Sequence, residues 1–515
     1  MIWGMTPDQT LAADDACYLA LKARDARFDG CFFTGVTSTG IYCRPVCSVR
    51  APKRENCRFF NLAAQAESAG FRPCLRCRPE LAPHSVVWSI QDASYILAHQ
   101  AARLLDEPEA WSDASGDSAP SVEKLASRLG VSDRHVRRIF EAQFGVSPMQ
   151  YLQTRRLLTA KQLLADTQLP ITQVALISGF ASVRRFNAAF VAHYQLNPTQ
   201  LRRRGAPLAG RGITVRLGYR PPYDVAAMLG FFVSHPLPGV EWVDSSSLLP
   251  VLRRNLRIEA FGATRTGWLS VTFDTVCNQV LLEVSDSLRD ALPAVIHRVR
   301  ATFDLDADPQ AINTALHVSF PGGDGLRVPG ALDGFELAVR AVLGQQVTVQ
   351  ASCRQAQRLV ERFGEPFLTP WPELTRLFPA PSALAVASSD SLGQLGVIRQ
   401  RQAAIVGIAR AVLDKKIQLH GGADVKATVQ TLKAIPGIGD WTAQYIAMRA
   451  LRWPDAFPAG DVALHKAMGV QGLKHPAKLA EQASLAWKPW RSYAVIRAWS
   501  GAARPANGIA ADQIP

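Results

Sequence analysis

No run of residues is long and apolar enough to cross a bilayer as a helix. The first twenty residues, which include Asp8, Asp14 and Asp15, also lack the basic start and apolar core of a secretory signal. Cysteine is scarce, with nine residues in a chain of 515. These deficits predict a cytosolic protein without a membrane partner, whose cysteines bind metal or react instead of forming a disulfide framework.

Acidic residues are also in short supply. The chain has 43 Asp and Glu against 57 Lys and Arg, which gives a formal net charge of +14. Such an excess favours a polyanionic partner, because Lys and Arg that replace counterions on phosphate gain affinity. The excess is concentrated in residues 122–204, which hold thirteen Lys and Arg but only four Asp and Glu. This segment is therefore expected to bind nucleic acid.

The composition, with 48% hydrophobic and 19% charged residues, is that of a chain that folds into buried cores. Seven of the nine cysteines lie in residues 1–84, and short consecutive helices are predicted in the segment that follows. Alternating stretches such as Gly267–Phe273 and Gln279–Val284 predict strands. We therefore expect a multidomain α+β protein. The predicted boundaries are 1–84, 85–204 with a polar loop at 109–120, a linker at 205–212, 213–300, 301–505 and a disordered tail at 506–515.

Four of the cysteines form two close pairs, Cys43-x3-Cys47 and Cys74-x2-Cys77, which are separated by 26 residues. Two such pairs of thiolates predict a tetrahedral zinc site, because Zn²⁺ prefers soft sulfur and four ligands. Buried thiols without a metal are the alternative. Small apolar packing is the expected role of the remaining five, which are Cys17, Cys31, Cys57, Cys277 and Cys353.

Arginines flank both cysteine pairs, in GIYCRPVC at 40–47 and GFRPCLRC at 70–77. With these motifs, residues 30–80 resemble the N-terminal zinc domain of Ada adaptive-response proteins. The resemblance implies that Cys43 is both a zinc ligand and the acceptor of a methyl group from a methylphosphotriester in DNA. Methylation would remove one negative charge from the site and so tighten DNA binding. Arg44 is expected to contact DNA phosphate, and a purely structural zinc knuckle is the alternative.

A helix-turn-helix pattern occurs twice, at residues 122–145 and 171–194, with Ser132 and Ser182 as predicted N-caps. The pair resembles the AraC-type DNA-binding domain, which implies promoter DNA and RNA polymerase as partners. A small helical bundle with a solvated basic face is the alternative. The basic residues that are expected on the recognition helices are His135, Arg137, Arg138, Arg184 and Arg185.

Residues 432–443, LKAIPGIGDWTA, predict a helix-hairpin-helix that binds DNA without regard to sequence. Its glycines let backbone N–H groups approach a phosphate at the start of a helix. An ordinary helix–glycine–helix turn is the alternative. Asp461 follows the hairpin and precedes the predicted helix at 463–468, where a lone aspartate is usually just an N-cap. The hairpin residues expected to contact DNA are Pro436, Gly437, Gly439 and Thr442.

Residues 213–501 resemble AlkA-type 3-methyladenine glycosylases through YRPPYD at 219–224, VLGQQV at 342–347, WTAQY at 441–445 and WKPWRSY at 487–493. The resemblance implies hydrolytic excision of alkylated bases, with Asp461 as the catalytic carboxylate. It also implies a monovalent cation on the hairpin carbonyls of Lys433, Ile435 and Gly437. The implied base pocket consists of Phe231, Gln345, Trp441, Tyr445 and Trp499, and plain core packing is the alternative for each aromatic residue.

One residue departs from the resemblance. In the resemblance, Gln346 is at the position of the wedge, the side chain that fills the gap left by a flipped-out nucleotide. A glycosylase of this family has leucine at that position. The sequence also lacks the Pro-Cys-His-Arg motif of the O6-methylguanine transferase half of Ada proteins. The sequence thus predicts a fusion of an alkylation sensor, a transcription activator and a base-excision glycosylase. A DNA-binding regulator whose glycosylase half only scans DNA is the alternative.

Overall fold

The computed structural model describes residues 7–84, 93–107, 120–202, 211–244, 250–260 and 263–501. The predicted tail, most of the predicted linker at 205–212 and most of the polar loop at 109–120 lie outside these residues. Within the described ranges, none of the helices combines the length and the apolar character that crossing a membrane requires. Four packed modules make up the fold.

The zinc module, residues 7–84, is a small sheet with the order β3-β1-β2-β4 and two helices. Strand β1 pairs antiparallel with β2 and β3, whereas β2 and β4 run parallel. Its core contains the aromatic rings of Phe33, Tyr42 and Phe71, packed with small apolar side chains. The elements are α1 (Pro7–Ala23), β1 (Phe33–Val36), β2 (Ile41–Cys43), β3 (Cys57–Phe60), α2 (Ala63–Ser68) and β4 (Arg72–Pro73).

The reader module, residues 93–202, is helical and contains both predicted helix-turn-helix motifs. Ser121, Ser132 and Ser182 each cap a helix by accepting a backbone N–H three residues further on. Gly130 has a φ of +67°, which lets the chain turn sharply between the first two motif helices. The helices are α3 (Ala93–Asp106), α4 (Val122–Leu129), α5 (Asp133–Phe144), α6 (Pro148–Asp166), α7 (Ile171–Ile177), α8 (Val183–Tyr194) and α9 (Pro198–Arg202).

The sheet module, residues 211–302, is a five-stranded antiparallel sheet with the order β5-β9-β8-β7-β6 and two helices. Strand β9 shows the alternation of buried and half-buried positions that the sequence predicts. The predicted boundary at residue 300 falls within the last helix. The elements are β5 (Ile213–Gly218), α10 (Val225–Ser234), β6 (Glu241–Asp244), β7 (Val251–Ala260), β8 (Ala263–Asp274), β9 (Gln279–Val284) and α11 (Leu292–Thr302).

The helical module, residues 303–501, buries two apolar clusters. Its helices are α12 (Pro309–Leu316), α13 (Gly334–Leu343), α14 (Val349–Phe363), α15 (Pro381–Ala385), α16 (Ser389–Gly393), α17 (Arg399–Leu413), α18 (Val425–Ala434), α19 (Asp440–Arg449), α20 (Val462–Ala467), α21 (Pro476–Ala483) and α22 (Arg491–Trp499). The expected multidomain α+β class is confirmed. The exact domain boundaries stay a prediction.

The modules pack closely against one another. One apolar cluster combines the second helix-turn-helix with the five-stranded sheet. The fully buried Arg220 of the sheet module donates hydrogen bonds to the carbonyls of Asp29, Pro83 and His84 in the zinc module. Glu67 of the zinc module accepts a hydrogen bond from Thr154 in α6, and burial raises the pKa of its carboxyl to about 7.

Candidate functional site

The four paired cysteines lie together at one edge of the small sheet. Cys43 ends β2 and Cys74 directly follows β4, and because these two strands run parallel, both pairs leave the sheet on the same side. The four sulfurs lie within 4.8 Å of one another, and none forms a disulfide. Zn–S bonds of about 2.3 Å place tetrahedral sulfurs about 3.8 Å apart. The donor set therefore fits one zinc ion.

Arg44 lies inside the zinc module and not on its surface. Its backbone N–H donates to Cys77 Sγ at 3.3 Å, and its side chain forms an ion pair with Asp29 (Nε to Oδ1, 2.8 Å) while only 8% exposed. A contact between Arg44 and a DNA phosphate would require this ion pair to open. Arg76 is exposed on the turn between Cys74 and Cys77. Arg76 is thus better placed than Arg44 to contact a DNA phosphate. It is part of the GFRPCLRC motif, but the sequence analysis did not single it out.

The basic residues predicted on the recognition helices lie near the starts of α5 and α8. Arg184 and Arg185 are exposed. Arg138 is also exposed and lies 3.1 Å from the His135 ring (Nη2 to Nδ1), and Arg137 reaches Glu123 at 3.7 Å. A surface ion pair of this length contributes little stability, so it leaves Arg137 available to another partner. The four arginines can therefore approach a groove of DNA, whereas His135 is half-buried.

A cleft of about 1700 Å³ opens between the sheet module and the helical module. Trp441 and Tyr445, four residues apart on α19, stack with ring centroids 5.3 Å apart and planes inclined by 13°. The ring centroids of Trp499, in α22, and Tyr445 are 6.3 Å apart. Phe231 of α10 lines the cleft on the side of the sheet module. The aromatic residues predicted for the base pocket thus share one cavity, in which their flat rings form part of the wall.

Asp461 lies on the wall of the same cleft and is half-buried. Its Oδ1 caps α20 by accepting the N–H of Leu464 at 2.7 Å and also accepts the indole N–H of Trp499 at 3.0 Å. Its Oδ2 accepts the indole N–H of Trp441 at 2.8 Å. Charge-assisted hydrogen bonds from three donors hold the carboxylate in one orientation. Asp461 is therefore both the N-cap of α20 and a side chain in the wall of the cleft.

The hairpin between α18 and α19 is tied to the cleft by Gln345. The Gln345 amide donates to the Gly437 carbonyl at 2.9 Å and to Thr442 Oγ1 at 2.9 Å. Gly437 has a φ of +91°, and a Cβ there would lie 2.8 Å from the Gln400 carbonyl oxygen, so the turn requires glycine. Thr442 is almost fully buried. Its predicted contact with DNA stays a prediction, because the residue as a whole, backbone included, is buried.

The neighbouring Gln346 is exposed at the rim of the cleft, with a φ of +52° that is unusual for a residue other than glycine. Such conformations are found at functional sites, where the surrounding structure holds the strain. The side chain predicted as the wedge is thus outside the core and free to enter a duplex. The hairpin residues Pro436 and Gly439 lie on the turn that leads into α19.

Arg449, which the sequence analysis missed, forms part of the cleft wall. Its guanidinium lies 4.4 Å from the ring centroid of Phe231 and 5.3 Å from that of Tyr445. It also donates a hydrogen bond to the Tyr445 hydroxyl. The i, i+4, i+8 spacing of Trp441, Tyr445 and Arg449 on one helix would have indicated a shared face.

The two indole groups that bind Asp461 give a first prediction. Trp441→Phe and Trp499→Phe keep an aromatic wall but each removes one donor to the carboxylate. Each indole N–H holds the carboxylate in one orientation, and a misplacement of about 1 Å can slow a reaction about 10²-fold, so each change is expected to lower the rate of the base release that the resemblance implies about tenfold or more. The measurement is the single-turnover rate on DNA that contains one alkylated base.

Trp487→Phe is the matched control for these changes. The Trp487 indole donates to Ser319 Oγ at 3.1 Å inside the second core of the helical module, outside the cleft. Its loss is expected to reduce stability while the rate of base release stays at the wild-type value. Equal slowing in all three variants would show that the indole hydrogen bonds to Asp461 have no specific effect.

Four family models match the chain in succession. They are the metal binding domain of Ada at residues 16–80, a helix-turn-helix domain at 125–204, the AlkA N-terminal domain at 214–333 and the HhH-GPD superfamily of base excision DNA repair proteins at 339–492. The four cysteines, the paired helix-turn-helix motifs and the aromatic cleft thus define a DNA glycosylase joined to a zinc-binding DNA reader. The predicted zinc site and the predicted resemblances are confirmed.

Three relatives show how these modules are combined elsewhere. The probable bifunctional transcriptional activator/DNA repair enzyme AlkA of Mycobacterium tuberculosis is 37% identical over 505 residues, which cover 96% of this chain and 97% of the relative. DNA-3-methyladenine glycosylase 2 of Escherichia coli is 33% identical over 283 residues, which cover 55% of this chain and 95% of the relative. The bifunctional transcriptional activator/DNA repair enzyme Ada of E. coli is 32% identical over 202 residues, which cover 39% of this chain and 52% of the relative. This chain belongs to the family of bifunctional transcriptional activator/DNA repair enzymes.

Proposed function

We propose that the chain excises 3-methyladenine and other alkylated bases from DNA by hydrolysis of the glycosidic bond, with Asp461 as the catalytic carboxylate. The observation that carries the proposal is a half-buried carboxylate held by two indole N–H groups inside an aromatic cleft. A target nucleotide must leave the duplex to enter such a cleft. Gln346 at the rim is the side chain that fills the gap.

The chemistry follows from charge. Alkylation at N3 or N7 makes a purine cationic, which favours stacking on the electron-rich rings of Trp441 and Tyr445. As the C1′–N bond breaks, its electron pair goes to the base, and positive charge develops on the sugar beside Asp461. The carboxylate stabilises this charge and accepts a hydrogen bond from the water that attacks C1′. The products are the free base, a sugar hydroxyl and one proton.

Base release by the full chain tests this proposal. DNA methylated at purine nitrogens is incubated with the protein, and free bases are separated by chromatography and identified by mass. The expected result is free 3-methyladenine that accumulates with enzyme and time, together with an equal number of abasic sites. Tight binding of the methylated DNA without any released base would instead support a regulator whose glycosylase half only scans DNA.

For the zinc module, we propose that Cys43 accepts a methyl group from a methylphosphotriester. The O–CH₃ bond of the triester breaks, an S–CH₃ bond forms at Cys43, and the phosphate leaves as an ordinary diester anion. Zinc supplies thiolate character to the four sulfurs. Loss of one negative charge next to the exposed Arg76 reduces the repulsion between this surface and DNA phosphates, so the methylated form binds DNA more tightly.

For the reader module, we propose that the two recognition helices bind promoter DNA and that RNA polymerase is recruited there. The support is the exposure of the four arginines near the starts of α5 and α8. For the hairpin, we propose a monovalent cation on the carbonyls of Lys433, Ile435 and Gly437. The Gly437 carbonyl accepts a hydrogen bond from Gln345 and the Ile435 carbonyl one from Ile438, and each oxygen has a second lone pair.

A change in the second recognition helix separates these functions. Arg184→Ala combined with Arg185→Ala is expected to weaken promoter binding about tenfold and to reduce the slope of log K against log salt by about one for each phosphate that is no longer neutralised. Base release should not change, because both residues lie outside the cleft. The measurement is fluorescence anisotropy at several salt concentrations. Arg289→Ala, which removes a cation from the sheet module, is the control, and equal losses in both variants would contradict the assignment.

A further inference from the structure

Arg449 is a buried cation whose partners are not carboxylates. Only 6% of the residue is exposed. Its Nε donates to the Pro329 carbonyl at 2.8 Å, its Nη2 to the Gly330 carbonyl at 3.1 Å and its Nη1 to the Tyr445 hydroxyl. Within the described part of the chain, none of the ion pairs includes it, and burial lowers the pKa of its guanidinium. Buried charges are usually paired, so an uncompensated one in the wall of a binding cleft calls for a functional explanation.

The position of this cation relative to Asp461 is informative. Trp441, which donates to Asp461, is near the start of α19, and Arg449 is the last residue of that helix. Eight residues of helix separate their Cα atoms by about 12 Å. Tyr445 lies between them, stacked on Trp441 and hydrogen-bonded to Arg449. The cleft thus has a negative group, Asp461, near the start of α19 and a positive group, Arg449, at the end of the same helix.

This arrangement matches the movement of charge in glycosidic cleavage. When the C1′–N bond breaks, the base gains one electron pair, so a cationic base becomes neutral and a neutral base becomes anionic. In both cases the base becomes more negative by one unit while the sugar becomes more positive. We propose that Arg449, acting through the Tyr445 hydroxyl, is a positioning residue on the leaving-group side that favours this transfer, as Asp461 does on the sugar side. The inference rests on the proposed function.

The proposal has different consequences for the two kinds of base. Arg449 repels a bound cationic base but not the nearly neutral base of the transition state, so it weakens binding and speeds the bond-breaking step by the same factor. For a neutral base, Arg449 has no such effect on binding, and it stabilises the negative charge that develops. The Tyr445 hydroxyl accepts the hydrogen bond from Arg449, which leaves its own proton available to an acceptor atom on the base. A neutral base leaves with one proton added, and water supplies the balancing hydroxyl at C1′.

The test measures single-turnover rates with excess full-length protein on two duplexes, one with a single 7-methylguanine (cationic) and one with a single hypoxanthine (neutral). Arg449→Met is expected to lower both the maximal rate and the half-saturating concentration on 7-methylguanine, with little change in their ratio. On hypoxanthine, it should lower the ratio about a hundredfold, the usual cost of losing one preorganised donor. A merely structural defect would lower the ratio on both duplexes.

Two further variants keep the test decisive if Arg449→Met fails to fold. Arg449→Lys retains the charge and should restore most of the activity on hypoxanthine. Tyr445→Phe retains the ring, so it should slow release of hypoxanthine by tenfold or more, while 7-methylguanine is affected less. Equal losses on both bases, or a wild type that releases 7-methylguanine but no hypoxanthine, would overturn the inference and leave the proposed function intact. A wild type that releases neither of these bases, and no 3-methyladenine from methylated DNA, would overturn both.

Discussion

Asp461→Asn is expected to abolish measurable base release, with a loss of about a thousandfold or more in the single-turnover rate. The change removes the negative charge that offsets the developing cation on the sugar, and groups of this kind contribute about 10²–10³ in rate or more. It also disturbs the local hydrogen bonds. The asparagine oxygen can still cap α20, but its NH₂ group would face one of the two indole N–H donors. Binding of alkylated DNA should persist, because the hairpin and the basic surface remain.

Asp308→Asn is the matched control for this prediction. Asp308 is also a half-buried N-cap, and its Oδ1 accepts the backbone N–H groups of Gln310 and Ala311. Asparagine is as good an N-cap as aspartate, so this variant should keep the wild-type rate. If Asp461→Asn released base as fast as the wild type, the carboxylate would have no catalytic role. If both variants lost activity together with their thermal stability, the effect would be structural.

A single methyl group on Cys43 is the second large expected effect. After incubation with DNA that contains methylphosphotriesters, mass spectrometry should find one added methyl group for each chain, on the peptide that contains Cys43. The reaction is stoichiometric, because a thioether does not return the methyl group. The methylated protein should bind promoter DNA about tenfold or more tightly than the unmodified protein, and this gain should shrink as salt screens the charges.

The other thiols of the zinc module provide the internal control. Cys31 and Cys57 are not among the four grouped cysteines, and burial raises the pKa of both thiols, so they should stay unmodified. A methyl group on either of them, in place of Cys43, would contradict the assignment. Absence of methyl transfer in a protein that still holds one zinc ion would favour a purely structural site.

The sequence predicts the fold of this chain well where local signals are strong. The spacing of Cys43, Cys47, Cys74 and Cys77 is sufficient for a zinc site, because few arrangements other than a tetrahedral metal centre require two such pairs. The serine caps and Gly130 mark the helix-turn-helix elements for similar local reasons. Packing between modules could not be predicted. The Arg220 side chain donates five hydrogen bonds to main-chain carbonyls, and each joins residues more than eighty positions apart in sequence.

The candidate sites show the same division. The family resemblance, and not the hairpin pattern alone, implies that Trp441, Tyr445 and Asp461 share one cleft, and the structure brings them together. Sequence patterns do not reveal that Arg44 is buried in an ion pair with Asp29, since an arginine beside a cysteine pair can be either buried or exposed. Arg449 lies on the same face of α19 as Tyr445, but the sequence does not show that its guanidinium is buried on the carbonyls of Pro329 and Gly330, which lie far from it along the chain.

The most direct measurement is a crystal structure of the full chain with DNA that contains a cationic abasic-site analogue, a pyrrolidine with nitrogen in place of C1′. The predicted result is a nucleotide rotated out of the duplex, with its ring nitrogen about 3 Å from a carboxylate oxygen of Asp461 and the base space enclosed by Trp441 and Tyr445. An analogue that stays in the duplex, or that enters the cleft with its nitrogen far from Asp461, would contradict the account.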